Sequence, residues 1–440
     1  MSSHASRVCI VPCSEVNGTI RPPGSKSITN RALICAALAS GHSFLSGVLD
    51  SEDTQVMVQA WHQLGLAIDW NRDQNELAIE GCAGRLPRQQ AEIFVANSGT
   101  TIRFLTAALA ACHGEFTFDG IARMRERPIE DLLLGLNQLG ADVASMNLKN
   151  PNCPPVRLNA TGLKGGVATV AGTISSQFLS GLMMAAPYAR SSVHLVVEGE
   201  LVSKPYVAMT AAVMHAFGCE AQQISANEYQ IAAPCTYQGC EYSIEPDASA
   251  ASYFFAAAAI TGGRTRVEGL SRQALQGDVG FVDVLQKMGS RVVYGPDWIE
   301  VTGRATKGVD VDMNAVSDTV QTLAAVALFA DGPTRIRGVA HNRHKETDRI
   351  GDLSKELRKL GAIVNEFDDG LEIIPAPLSP TTIETYHDHR MAMSLSLVGL
   401  RQQGVWILNP RCTEKTYPNF FDDLAKFIGK PAIYQTDDHP

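Results

Sequence analysis

The chain has 440 residues, 45% of them hydrophobic and 19% charged, with a formal net charge of −9. Those proportions suit a globular, enzyme-sized protein of about two or three domains, and the acidic balance excludes a general nucleic-acid binder, which needs a basic surface. No apolar run approaches the roughly 18 residues needed to cross a bilayer, and no basic-flanked apolar leader opens the chain, so a cytoplasmic location is expected.

Ten cysteines are scattered without a C-x-x-C pair. Free thiols in a reducing compartment are expected, and Cys235 with Cys240 is not read as a metal site.

A long-period repeat organises the chain. The strand-like Arg7-Val8-Cys9-Ile10-Val11-Pro12 precedes the first unit and fits either half. Six units follow, each opening on a small polar cluster before an Ala/Leu-rich helix. The openings are Ser25-Lys26-Ser27, Asn97-Ser98-Gly99-Thr100-Thr101, Ser175-Ser176-Gln177, Asp247-Ala248-Ser249, Ser317-Asp318-Thr319 and Asp388-His389-Arg390. A Gly-bounded strand comes next, then a second polar cluster and a second helix. Pro128, Pro205 and Pro418 suit the first turn of three of these second helices, where no amide donor is lost. The second helices end at Gly65, Gly140, Gly218, Gly289, Gly361 and Gly429, spaced 75, 78, 71, 72 and 68 residues apart. Gly after the last apolar residue is a helix C-cap signal. Alternating strands complete a β-α-β-α-β-β unit. The texture changes from Glu220 to Pro246, so a domain boundary is expected there, with three repeats on each side. The tail beyond Gly429 ends polar and is expected to be loosely ordered.

The polar clusters carry the chemistry. Pro22-Pro23-Gly24-Ser25-Lys26-Ser27 lacks the glycines of a nucleotide P-loop, because Ser25 precedes Lys26 and Ile20 stands five positions before it. Lys26 at a helix start, with Ser27 and Arg31 one turn on, still makes a small-anion site. Gly99 allows close backbone approach, Arg123-Met124-Arg125-Glu126-Arg127 packs three arginines into five positions, and Ser175-Ser176-Gln177 offers hydroxyls and an amide. Arg343-His344-Lys345-Glu346-Thr347-Asp348-Arg349 follows a strand-like run and precedes a helix over 350–360, which Thr347 or Asp348 is placed to cap. Asp318 and Glu346 are the carboxylates of interest, both expected at helix starts. Amid so many cations they ionise readily, so an acid role for Glu346 needs a specific environment. The plain alternatives are capped helix starts and solvated charges at Arg390 and Lys415. Neither a metal signature nor a Rossmann or G-x-S-x-G pattern is present, so no metal and no cofactor are expected.

The residues Pro23-Gly24-Ser25-Lys26-Ser27 with Asn30-Arg31, Asn97-Ser98-Gly99-Thr100, Arg125-Glu126-Arg127-Pro128, Ser175-Ser176-Gln177, Leu201-Val202-Ser203-Lys204-Pro205-Tyr206, Lys345-Glu346-Thr347-Asp348-Arg349, Asp388-His389-Arg390-Met391-Ala392-Met393 and Lys415-Thr416 resemble, in order and over nearly the whole chain, the 3-phosphoshikimate 1-carboxyvinyltransferases (EPSP synthases). The resemblance implies an α/β protein of two similar domains, each an inside-out α/β barrel of three β-α-β-α-β-β repeats, closing as a clamshell on a central cleft. The domains would be residues 22–245 and residues 1–21 plus 246–440, with hinge strands near Ile20-Arg21 and Ile244-Glu245.

It also implies that the 5-hydroxyl of shikimate 3-phosphate attacks C2 of phosphoenolpyruvate while C3 gains a proton, after which phosphate leaves a tetrahedral intermediate. The family pattern assigns shikimate 3-phosphate to Lys26, Ser27, Arg31, Ser175, Ser176, Gln177, Ser203, Tyr206, Asp318 and Lys345, with either His341 or Asn342 where many relatives use Asn for the shikimate ring. Phosphoenolpyruvate falls to Lys26, Asn97, Gly99, Arg127, Gln177, Arg349, Arg390 and Lys415. Catalysis falls to Asp318 for the hydroxyl proton, Glu346 and Lys345 for the C3 proton, and Lys26.

The expected partners are those two small molecules, with no nucleic acid and no membrane, and the chain is expected to be a monomer. Two other functions fit less well. The sister enzyme acting on UDP-N-acetylglucosamine usually carries a reactive Cys in the loop aligned with residues 120–128 and a Lys-Asn pair near the N-terminus, whereas here the loop has no Cys and Ser27 follows Lys26. A non-catalytic clamshell protein binding phosphorylated metabolites would keep the cations without needing both Asp318 and Glu346.

Overall fold

The computed structural model describes residues 5–436. It forms two compact units: Gly24–Glu245, and a second in which the segment up to Pro23 joins the chain from Pro246 onward.

Each unit contains three four-stranded sheets of one recurring order. In the second repeat, strand Gln90–Phe94 runs parallel to His113–Asp119, which pairs antiparallel with Val156–Thr161, and that strand pairs in turn with Asp142–Ser145. Helix Gly99–Ala110 makes the parallel crossover and helix Glu130–Gln138 leads into the final hairpin. All six terminal glycines hold positive φ, from 68° at Gly429 to 112° at Gly289. This left-handed backbone ends a helix at no steric cost when no Cβ is present.

Three sheets borrow a strand from far along the chain. The first repeat takes Glu241–Ser243 beside His42–Ser46. The fourth takes Asn17–Ile20 beside Arg264–Glu268. The sixth seats Arg7–Cys9 between Val405–Leu408 and Ile433–Gln435. The N-terminal strand therefore pairs within the second unit. The tail is more ordered than its polar ending suggests, because Ile433–Gln435 is an edge strand. The expected loose end at residues 437–440 lies outside the described residues.

Helices rather than sheets fill the interior. Every residue of Ala248–Thr261 and of Gly99–Ala110 is buried, as fits a helix surrounded by protein on all sides. Small residues let interior helices approach closely: a Cβ on Gly181, in helix Ser176–Ala185, would lie 3.3 Å from the Cβ of Ala107 in Gly99–Ala110. The strands alternate buried and exposed residues, as in His42–Ser46 and Glu76–Glu80, so each sheet turns one face to solvent. Helices inside and sheets outside give the inside-out arrangement. Burial of each large apolar side chain, such as Phe104 or Phe254, contributes about 1.5–3 kcal/mol.

Two expectations about second helices fail. Pro205 lies in the first turn of Lys204–Ala216, but Pro128 precedes a helix that begins at Glu130 and Pro418 one that begins at Phe420. In both cases a 3-10 turn, Met124–Glu126 or Pro410–Lys415, comes first. Arg127 is extended, at φ −87° and ψ 128°, as a residue before proline prefers.

Candidate functional site

In the unit Gly24–Glu245 the polar clusters meet at helix starts. Ser25 caps helix Lys26–Leu38 by accepting from the Ile28 amide. Lys26 Nζ lies 3.2 Å from a carboxylate oxygen of buried Asp53. One turn on, Arg31 is 2% exposed. It donates to Thr210 Oγ1 at 2.7 Å, the Ser27 carbonyl at 3.0 Å, the Tyr206 carbonyl at 3.2 Å and Ser180 Oγ at 3.3 Å. Every one of these acceptors is neutral. Burial depresses the Arg31 pKa to about 10, so the group is still a cation at neutral pH. A buried cation facing only neutral oxygens is costly, and that cost falls when an anion arrives.

Arg127 donates to the Asn97 carbonyl at 2.9 Å and to Asn97 Oδ1 at 3.3 Å. Its guanidinium packs so tightly on Gly99 that a Cβ there would sit 2.5 Å from Nη2. Arg103 donates to Gln177 Oε1 at 2.7 Å and to the Pro128 carbonyl at 2.9 Å, which orients the Gln177 amide. Ser175 caps helix Ser176–Ala185 by accepting from the Gln177 amide. Ser203 holds φ 53°, a left-handed conformation uncommon for a residue with a Cβ, immediately before Lys204 and Tyr206.

The second unit gathers its charges around one guanidinium. Arg349, with 2% of its side chain exposed, donates from Nε to Asp388 Oδ2 at 2.7 Å, and from Nη2 to Glu346 Oε2 at 2.8 Å and Asp388 Oδ1 at 3.1 Å. Its Nη1 reaches Asp318 Oδ1 at 3.3 Å. The three carboxylates push the Arg349 pKa upward against burial, which acts to lower it. Arg390 Nη2 donates to Asp318 Oδ2 at 2.7 Å, and Nη1 to the Tyr253 hydroxyl at 3.4 Å. Lys345 lies 3.9 Å from Asp318, and Lys415 lies 4.0 Å from Glu346. Four cations thus surround three carboxylates, in charge-assisted geometry.

The chain aligns with the sequence profile described as EPSP synthase (3-phosphoshikimate 1-carboxyvinyltransferase) over residues 10–424. The chain belongs to the EPSP synthase family. A 3-phosphoshikimate 1-carboxyvinyltransferase from Nostoc punctiforme is 48% identical over 94% of this chain and 97% of its own, and one from Shewanella sediminis is 46% identical over the same shares. Among solved structures, an EPSP synthase from Acinetobacter baumannii superposes with a TM-score of 0.81 at 26% identity, covering 98% of this chain and all of the other. The enolpyruvyl transferase NikO from Streptomyces tendae, at 18% identity and a TM-score of 0.77, shares the fold.

Within this member of the EPSP synthase family, several expected positions shift. Asp318 does not cap a helix; it lies in the 3-10 turn Asn314–Thr319, and its oxygens face Arg349 and Arg390. Glu346 stands in the loop before its helix, which begins at Gly351, within one residue of the expected start. Of the two expected caps, Asp348 performs the capping, with Oδ1 accepting from the Ile350 and Gly351 amides, while Thr347 donates to Asp352. Arg343 is tied to Asp348 at 2.8 Å and Glu366 at 3.0 Å, which makes it a brace for the loop. Arg390 and Lys415 are 6% and 5% exposed, so neither is a solvated surface charge. Asp53, Arg103 and Asp388 take part in these charge networks without having been singled out from the sequence; their single sequence signal is a charge near a helix start.

The two candidates for the ring contact are both buried. Asn342 is fully buried; its side-chain amide donates to the Ser317 carbonyl at 3.0 Å and its backbone carbonyl accepts from the Arg349 backbone amide. His341 is 3% exposed, and burial beside Lys345 lowers its pKa to about 3. Between pH 6.5 and 3 the unfolded chain therefore takes up a proton that the folded one refuses. Stability falls as pH drops through that window, by up to about 1.4 kcal/mol per pH unit from this one group. His341→Asn is expected to remove that increment. Denaturant unfolding of both proteins at pH 7 and pH 4.5 measures it as a gap that widens on acidification; parallel curves would contradict it.

Proposed function

We infer that this chain transfers the enolpyruvyl group of phosphoenolpyruvate to the 5-hydroxyl of shikimate 3-phosphate and releases phosphate, by addition and elimination through a tetrahedral intermediate. Membership of the EPSP synthase family carries the reaction. The observation that carries the site is Arg31, a buried cation with neutral partners in a chain of net charge −9.

On this reading, Lys26, Ser27, Arg31, Ser175, Ser176, Gln177, Ser203 and Tyr206 hold shikimate 3-phosphate, together with Asp318 and Lys345. The ring contact goes to His341 or Asn342, since a neutral imidazole and a side-chain amide can each hydrogen-bond a hydroxyl at working pH. Lys26, Asn97, Gly99, Arg127, Gln177, Arg349, Arg390 and Lys415 hold phosphoenolpyruvate. Asp318 takes the hydroxyl proton as the 5-oxygen attacks C2. Glu346, aided by Lys345, delivers the proton to C3. The fixed cations stabilise charge on the phosphate and carboxylate without reorganising during the reaction. The protein acts as a cytoplasmic monomer.

Phosphate release from phosphoenolpyruvate tests the assignment, with shikimate 3-phosphate and UDP-N-acetylglucosamine as separate acceptors. Turnover with the first alone is expected. Turnover with the second alone overturns the reading, and turnover with neither points to a binding protein.

Gly99→Ala is expected to raise the KM for phosphoenolpyruvate at least tenfold. The added Cβ displaces the Arg127 guanidinium, and misplacement by about 1 Å is enough for effects of that size. Steady-state kinetics at saturating shikimate 3-phosphate reads it, and an unchanged KM excludes this contact from substrate binding. Glyphosate, as a ligand of the same phosphoenolpyruvate site, is expected to inhibit the parent chain.

A further inference from the structure

Two thiols that play no part in the chemistry above meet at the edge of the first unit. Cys219 and Cys235, sixteen residues apart, place their Sγ atoms 3.0 Å from each other. Cys219 follows the C-cap of helix Lys204–Ala216 and is 2% exposed, while Cys235 is half-buried. Both backbones are anchored: the Cys219 amide donates to the Met214 carbonyl at 3.0 Å and the Cys235 amide to the Pro187 carbonyl at 2.7 Å. The sulfurs are thus held together by the fold. An S–S bond of about 2.0 Å needs an approach of only about 1 Å more.

What lies between the two cysteines in sequence gives the contact a purpose. It is the hairpin of Ala221–Ser225 and Glu228–Ile231, whose outer strand ends the sheet and is exposed at every position but its first. An edge strand held through a single neighbour is the part of a sheet most prone to fray.

We propose that Cys219 and Cys235 are a reversible dithiol–disulfide pair that staples the base of this edge hairpin when the protein meets a peroxide. Cys235, the more accessible sulfur, attacks one peroxide oxygen, breaking the O–O bond to give a sulfenic acid while the other oxygen leaves as water. The Cys219 sulfur then attacks the sulfenic sulfur, and the S–OH oxygen leaves as a second water. Two thiols lose two electrons and two protons, and one hydrogen peroxide is reduced to two waters. Burial and the adjacent Cys235 push the Cys219 pKa upward, which keeps Cys219 a thiol and leaves the first, bimolecular step to Cys235.

The test treats the full chain with a modest excess of hydrogen peroxide, alkylates the remaining thiols after denaturation, and maps peptides without reductant. The expected result is a linked pair containing Cys219 and Cys235, two fewer alkylated thiols, reversal by dithiothreitol, and a higher Tm. Cys235→Ser, at the more exposed position, is expected to abolish both the link and the Tm rise. Cys235 recovered as sulfinic or sulfonic acid, or bonded to Cys240 with Cys219 alkylated, overturns the pair. A linked pair with unchanged Tm overturns the staple.

Discussion

Replacing Asp388 by alanine is expected to destabilise the chain by about 3–5 kcal/mol, the usual consequence of removing one partner from a buried ion pair. Asp388 is fully buried, and its two oxygens accept three hydrogen bonds. They accept from Nε and Nη2 of Arg349, and Oδ1 also accepts from the Arg390 amide at 2.8 Å, capping helix His389–Ser396. Loss of the cap alone costs about 0.5–2 kcal/mol. The larger part comes from Arg349, left buried with Glu346 and Asp318 as its remaining carboxylates. Asp388→Asn separates the two effects, because an amide oxygen still caps but carries no charge. Urea unfolding at pH 7 is expected to rank parent above Asn variant above Ala variant. A loss under 1 kcal/mol in the Ala variant would mean that Arg349 is not held as the distances indicate.

The overall architecture was legible because its markers are local. A glycine closing each second helix recurs at near-constant spacing, and each of the six has the positive φ that makes glycine necessary. Pairing over long distances was not legible. Arg7–Cys9 and Glu241–Ser243 are three-residue strands, too short for any periodicity, and their partners lie some two hundred or more residues away. The candidate site divides along the same line. The types of residue at the helix starts could be read, and they bring Asp318, Lys345, Glu346, Arg349, Arg390 and Lys415 into one cluster of charges. Which of them were buried could not be read, since a capping Asp and an ion-paired Asp look alike in sequence and Asp388 is both. The helix expected over 350–360 was legible, and it runs Gly351–Lys359 with Asp348, one of the two expected caps, accepting from two amides; that Glu346 stands in the loop before it and pairs with Arg349 was not.

That loop position bears on the expected behaviour of Glu346→Gln, which should lower kcat by about 10²–10⁴, the range for losing a general acid or base. Glutamine has the same size and keeps an oxygen to accept from Arg349 Nη2, now 2.8 Å from Oε2, so the loop has little reason to move. It loses the transferable proton and the charge opposite Lys415 at 4.0 Å. If Glu346 delivers the C3 proton, the KM for shikimate 3-phosphate should stay within a few-fold of the parent while turnover collapses, the pattern of an interaction made mainly in the transition state. Solvent deuterium separates this from a positioning role. In the parent, phosphoenolpyruvate recovered from partial turnover in D2O should carry label at C3, because the tetrahedral intermediate has gained a solvent-derived proton there and can revert. In the variant, labelling should fall in step with kcat. A higher KM for phosphoenolpyruvate with kcat and labelling preserved would instead assign Glu346 to holding Arg349 and Lys415 in place, and would leave the C3 proton to Lys345.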